Sequence, residues 1–139
     1  MPEDKIFLDT NILVYAHDRS AGQKHETARQ TVLDLWESGL GTLSTQVLQE
    51  FYVTVTSKVP KPLGAQAAGE IIKGLLKWEV VVNDGESILA AIALQRQLRY
   101  SFWDAMIVQA ALEVKASLLL SEDLSDGQKI DGLTIRNPF

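Results

Sequence analysis

Short apolar runs, separated by longer stretches of helical periodicity, constrain this chain more than any other feature. The first is Lys5-Ile6-Phe7-Leu8-Asp9, continuous in its hydrophobicity and ending in an acid, as a strand buried on both faces should be. Thr42-Leu43-Ser44, the β-branched run Glu79-Val80-Val81-Val82, Ser117-Leu118-Leu119-Leu120 and Leu133-Thr134-Ile135 repeat the signal. Between them, Ala28, Val32, Leu35 and Trp36 fall at helical spacing within Gln23–Glu37, and Gly39 and Gly41 stop the pattern. Val47, Leu48, Phe51, Tyr52 and Val55 form an apolar stripe on a helix that Ser44 or Thr45 can cap. Asn11–Ala16 reads as a helical turn. Further helices are expected over Gly64–Leu76, Glu86–Leu98 and Ser101–Lys115, with Pro60 and Pro62 marking a loop. Strands alternating with helices predict an α/β fold, a three-layer α/β/α sandwich around a central, mostly parallel sheet.

The 139 residues suffice to bury roughly two-thirds of the unfolded surface. No repeat, low-complexity tract or long linker divides them, so one domain spanning residues 1–139 is expected. Cysteine is absent and His17 and His25 are the only imidazoles, which argues against a disulfide framework and a structural zinc site. No apolar run approaches the roughly 20 residues of a membrane span. Met1-Pro2-Glu3-Asp4-Lys5 carries the wrong charge for a secretory leader, so a cytoplasmic location is the default expectation. The net charge of −5 argues against a module that grips nucleic acid through a basic face. It is compatible with acids gathered around a divalent cation, which reverses the local field.

Functional residues in open parallel sheets gather beyond the carboxyl ends of the strands. Asp9 stands at one such end and Asp123 follows another. Each has a local alternative, since Asp9 suits an N-cap and Asp123 shares its loop with Glu122 and Asp126. Glu50 sits mid-helix beside Leu48, Phe51 and Tyr52, where it is either a solvated residue or an acid turned partly inward. Ser101-Phe102-Trp103-Asp104 has the spacing of a capping box, which accounts for Asp104 locally without forbidding it from facing a cleft.

Taken together, Phe7-Leu8-Asp9-Thr10-Asn11, Gln49-Glu50-Phe51, Phe102-Trp103-Asp104-Ala105 and Ser121-Glu122-Asp123-Leu124 resemble the PIN-domain family over essentially the whole chain. The tail from Ser121 to Gln128, followed by Asn137-Pro138-Phe139, looks like VapC-type toxins of bacterial and archaeal toxin–antitoxin pairs. Ser121 stands where the family often has threonine, and Ser125 stands where many members carry a further acid.

The resemblance implies a metal-dependent endoribonuclease whose catalytic and metal-binding carboxylates are Asp9, Glu50, Asp104 and Asp123. Oxygen-only ligation suits Mg²⁺ or Mn²⁺. In this reading Asp9 and Asp104 bind metal most directly, Glu50 orients or deprotonates the attacking water, and Asp123 completes the coordination. Asn11 and Ser121 orient those carboxylates by hydrogen bonds. Arg19, Lys58, Lys61, Arg96 and Arg99 are candidate phosphate contacts, each equally readable as a solvated charge. Phe102 and Trp103 suit either base stacking or the core, and their apolar neighbours favour the core. The implied partners are an RNA substrate, a cognate antitoxin and a second copy of the chain, with no membrane. This chain lacks the insertions that a DNA-directed nuclease on the same fold usually carries, and a degenerate binding module would have lost an acid. A phosphoacceptor domain needs an acidic pair where Asp9 is followed by Thr10 and Asn11.

Overall fold

The computed structural model describes residues 4–139. The first three residues of the acidic start lie outside the described part. Among the described residues, no helix is long and apolar enough to cross a membrane.

The chain opens with β1 (Ile6–Leu8) and α1 (Thr10–His17), then a one-turn 3₁₀ helix at Arg19–Ala21 and α2 (Gln23–Ser38). β2 (Gly41–Ser44), α3 (Thr45–Ser57), α4 (Ala65–Leu75) and β3 (Glu79–Val81) follow. The second half contains α5 (Gly85–Leu98), α6 (Phe102–Glu113), β4 (Leu118–Leu120), β5 (Lys129–Ile130) and β6 (Leu133–Arg136). The strands form one sheet in the order β3-β2-β1-β4-β6-β5, parallel except where β5 meets β6. The helices pack against one another in two groups, α1 to α4 and α5 with α6, which gives the expected three layers.

Local chemistry explains the element ends. Asp9 is extended and its side chain accepts from the Thr10 N–H, so the residue that ends β1 also caps α1. Ser44 does the same between β2 and α3, its hydroxyl accepting from the Val47 N–H at 3.3 Å. Gly39 closes α2 in the left-handed conformation that glycine adopts without penalty. Phe7, Leu8, Leu43 and Leu119 on the central strands are fully buried, as are Ile12 and Leu13 of α1 and Phe51 of α3. Each such side chain contributes roughly 1.5–3 kcal/mol by leaving water.

Several expectations are corrected. The turn at Asn11–Ala16 is a complete helix, because the Asp9 cap lets it start one residue earlier. β5 was not expected; it pairs with β6 through a tight turn in which Asp131 and Gly132 both have positive φ, the geometry that Asp-Gly supplies. Trp36 was expected on the core stripe of α2. It is half-exposed instead, held edge-on against Trp78 with ring centroids 5.3 Å apart. Val82 leaves the end of β3 and is exposed, because no neighbouring strand extends that far.

Trp78 also covers the backbone of Gly41, where a Cβ would lie 2.5 Å from the nearest ring atom. Gly41 pairs with Ile6 and so helps set the position of β1. Gly41→Ala should therefore lower stability by about 1–3 kcal/mol, the usual cost of overpacking. Urea unfolding monitored by tryptophan fluorescence measures this. An unshifted midpoint would mean that Trp78 swings aside freely.

Candidate active site

β1 and β4 are adjacent at the centre of the sheet, and the direction of chain progression reverses between them. β2 and β3 build outward from one side of β1, while β4 and β6 build from the other. A reversal of this kind opens a crevice beyond the carboxyl ends of the two strands. Asp9 leaves β1 at that crevice and its N–H donates to the Leu120 carbonyl of β4 at 3.0 Å.

Asp9 is only 6% exposed. Its Oδ1 accepts from the Thr10 N–H at 2.7 Å and its Oδ2 accepts from the Ser121 hydroxyl at 2.7 Å. Ser121 is fully buried, and its Oγ also accepts from the backbone N–H groups of Asp123 at 3.2 Å and Leu124 at 3.3 Å. One hydroxyl thus orients the Asp9 carboxylate and shapes the loop that carries Asp123. Burial pushes the Asp9 carboxyl up from 3.8 to about 6. The hydrogen bonds from Ser121 and Thr10 oppose that rise, and the charges of Asp123 and Glu50 add to it.

Glu50 projects from α3, which is anchored by the buried Val47 and Phe51. Its Oε1 accepts from the Thr10 hydroxyl at 2.6 Å and its Oε2 accepts from the Gln46 amide at 3.3 Å. The same Gln46 Nε2 donates to the Trp103 carbonyl at 3.2 Å, which ties α3 to the first turn of α6. Asp123 Oδ2 accepts from Asn11 Nδ2 at 3.0 Å. At Asp104 the expected capping box is one-sided. The Ser101 hydroxyl accepts from the Asp104 N–H at 3.1 Å, whereas the reciprocal box occurs on α5 between Asp84 and Ser87.

Asp9, Glu50, Asp104, Asp123 and Asn11 all line one cleft of about 730 Å³, and the buried Ser121 is joined to it through its bond to Asp9. Glu122 and Asp126 do not line it. Glu122 accepts from the Tyr15 hydroxyl at 2.7 Å and pairs with Lys24, while Asp126 accepts from the Asn137 N–H at 2.9 Å. Of the five candidate phosphate contacts only Lys58 reaches the cleft. Thr10 and Gln46 complete the wall in places that sequence reasoning had not assigned, and Trp103, for which the core was favoured over base stacking, lines it too. Gln46 stands four residues before Glu50, the spacing at which helical side chains meet, so its signal was present in the sequence.

The donor set fits a hard divalent cation. Among the described residues, the ion pairs are Lys5 with Glu79 and Lys24 with Glu122, so no basic side chain neutralises the four acids of the cleft. Buried acceptor atoms without partners, Asn11 Oδ1 and Gln46 Oε1, stand beside them. No group of three or more His, Asp or Glu side chains among the described residues forms a ready-made cage.

A family model described as "PIN domain" matches residues 6–126. The chain belongs to the PIN domain family. Solved structures with the same fold include a toxin–antitoxin complex from Klebsiella pneumoniae, 18% identical, with a TM-score of 0.69 over 97% of this chain and 98% of that one. VapC20 of Mycobacterium tuberculosis, described as a sarcin-ricin loop cleaving toxin, is 21% identical with a TM-score of 0.65 over 83% of this chain and 87% of that one. DNA-bound VapBC from Salmonella typhimurium is 17% identical with a TM-score of 0.67, covering 99% and 100%. At these identities the likeness establishes the PIN fold. No curated protein sequence matches the chain.

The raised Asp9 carboxyl has a consequence for stability. Folding favours its protonated form, so its contribution is greatest below pH 3.8 and is lost as pH rises through about 6. By neutral pH the loss is about 3 kcal/mol. Between pH 4 and 8 metal-free wild type should therefore lose more stability than Asp9→Asn, which carries no charge and keeps one of the two accepted hydrogen bonds through its single carbonyl oxygen. Mg²⁺ should raise the wild-type midpoint and leave the variant's largely unmoved. Thermal melts from pH 4 to 8 test this, and parallel profiles for the two proteins would refute it.

Proposed function

We propose that this PIN domain protein is a metal-dependent endoribonuclease, acting as the toxin of a toxin–antitoxin pair. The observation that carries this reading is the convergence of Asp9, Glu50, Asp104 and Asp123, from four separate elements, on one cleft without a basic partner. The charges of Asp123 and Glu50 both disfavour ionisation of Asp9. Structure that tolerates this serves something that needs concentrated negative charge.

Asp9, Asp104 and Asp123 would hold Mg²⁺ or Mn²⁺, which supplies charge neutralisation at a phosphodiester and lowers the pKa of water. The protein's own groups do the rest. Thr10 and Ser121 clamp the Asp9 carboxylate from both oxygens. Asn11 holds Asp123 through one oxygen, its amide donating to Oδ2. Glu50, fixed by Thr10 and Gln46, takes the proton of the attacking water as its oxygen bonds to phosphorus and the ester oxygen departs. Lys58, at the wall formed by the end of α3 and the following loop, is placed to hold a neighbouring phosphate. RNA as substrate is supported by the Mycobacterium tuberculosis neighbour, which is described as cleaving the sarcin-ricin loop.

The Klebsiella pneumoniae neighbour was solved as a toxin–antitoxin complex, which supports a cognate antitoxin as partner. We propose a second copy of the chain as well. Val82, Ile88, Leu89 and Ile92 leave an apolar surface on and before α5, consistent with such an interface.

The decisive experiment incubates purified, antitoxin-free protein with mixed RNA in Mg²⁺, in Mn²⁺ and in EDTA, beside Asp9→Asn. Cleavage should need the metal and disappear in the variant; cleavage that survives Asp9→Asn would falsify the assignment. A second set separates the acids. Thr10→Val should lower activity by about 10–100-fold through loss of the clamp on Glu50, whereas Glu122→Gln and Asp126→Asn should cleave at near wild-type rates. Equal losses across all three variants would mean that the cleft is not the site.

A further inference from the structure

Trp103 is the largest exposed side chain at the cleft, with 62% of its surface open to solvent. Its neighbours Ala105 and Met106 are buried, so the exposure comes from its place on the first turn of α6 and not from a generally wet helix. The ring is also braced. Phe102 packs edge-on against it, centroids 5.1 Å apart with the planes at 73°, and Phe102 is itself packed on the cluster of Ala91, Ala105 and Met106. On the backbone side the Trp103 carbonyl is held by Gln46, the residue that also holds Glu50. A large aromatic surface is thus fixed next to Asp104, in a concave site whose other end carries Lys58.

We infer that Trp103 is a stacking platform for an unpaired nucleobase beside the phosphate held at the acidic end of the cleft. The inference rests on the nuclease reading and adds to it a residue that selects among substrates. Every nucleobase offers a π-face, and a base can lie against an indole only when it is free of its duplex. The acidic wall repels the sugar–phosphate backbone except where a cation intervenes, so a stacking contact supplies affinity that charge cannot. Because the platform shares its helical turn with Asp104 and its tether with Glu50, stacking there also sets which phosphate reaches the carboxylates. A nucleotide constrained within a helix cannot make the contact. The site therefore favours looped or single-stranded RNA over duplex.

The test pairs Trp103→Ala and Trp103→Phe with two matched single-stranded RNA substrates, one of them abasic at the nucleotide next to the cleaved bond. On the intact substrate Trp103→Ala should raise KM about tenfold, with Trp103→Phe recovering part of the loss. On the abasic substrate the loss should shrink to less than about twofold, because there is no base to stack. In a second readout, with Ca²⁺ in place of Mg²⁺, the intact oligonucleotide should quench a fraction of the tryptophan fluorescence that is missing in Trp103→Phe. Equal losses on both substrates would show that Trp103 only shapes the site, and would overturn the inference while leaving the nuclease reading standing. Unaltered KM in Trp103→Ala would do the same. If wild type cleaves neither substrate, the nuclease reading fails and the fluorescence decides alone. Quenching by the intact oligonucleotide and not by the abasic one supports the platform, and equal or absent quenching rejects it.

Discussion

A carboxylate buried at the end of a central strand is expensive unless every oxygen is spoken for, and the structure around Asp9 is organised by that requirement. Thr10 satisfies one oxygen as the first residue of α1, and Ser121 satisfies the other from the loop after β4. The pairing of β1 with β4, in which Leu8 faces Leu120, brings those two donors to the same carboxylate. Ser121 then uses its remaining capacity to hold the Asp123 and Leu124 N–H groups. Strand register, helix cap and loop shape thereby converge on one side chain. Shifting β1 against β4 by one residue would break all three.

The same arrangement works against stability. The Asp9 carboxyl is lifted to about 6 by burial and by the charges of Asp123 and Glu50, so at neutral pH the ionised site is held together at a cost. The surrounding core supplies the difference through buried side chains on β1, α1 and α3, among them Phe7, Ile12, Leu13 and Phe51. Such a cost is a common property of functional sites, where the arrangement that serves chemistry is not the one that serves folding. On the proposed reading, a divalent cation bound at the cleft acids would let a chain with a net charge of −5 accept a polyanion.

Much of the fold was legible because its strands are short, continuous apolar runs and its helices carry 3.6-residue stripes. β1, β3, α2, α3 and α6 follow those patterns closely. β5 was missed because two residues, Lys129 and Ile130, are too few to show a period, although Asp131-Gly132 carried the turn signal. Trp36 and Trp103 were misread for one reason. Hydrophobicity reports a preference for burial but not whether the fold provides a partner, and neither indole is given a full one. Among the acids, the pattern marked Asp9, Glu50, Asp104 and Asp123, but nothing local distinguished Asp123 from Glu122 next to it. Tyr15 and Lys24 turn Glu122 away from the cleft, and both are more than ninety residues distant in the chain.

The sequence by itself determined the alternation of strands and helices, the caps at Asp9, Ser44 and Ser101, and the family to which the four acids point. These are short-range properties, set by dihedral preference, side-chain period and hydrogen bonds within a turn. Only the tertiary structure decided which acids share a cleft, that Ser121 and Thr10 clamp Asp9, and that Gln46 joins Glu50 to α6. It also left Trp103 exposed beside Asp104. Those relations depend on parallel strand pairing and helix packing across long stretches of chain. Geometry of that kind arises when the apolar faces find one another, and no local pattern encodes it.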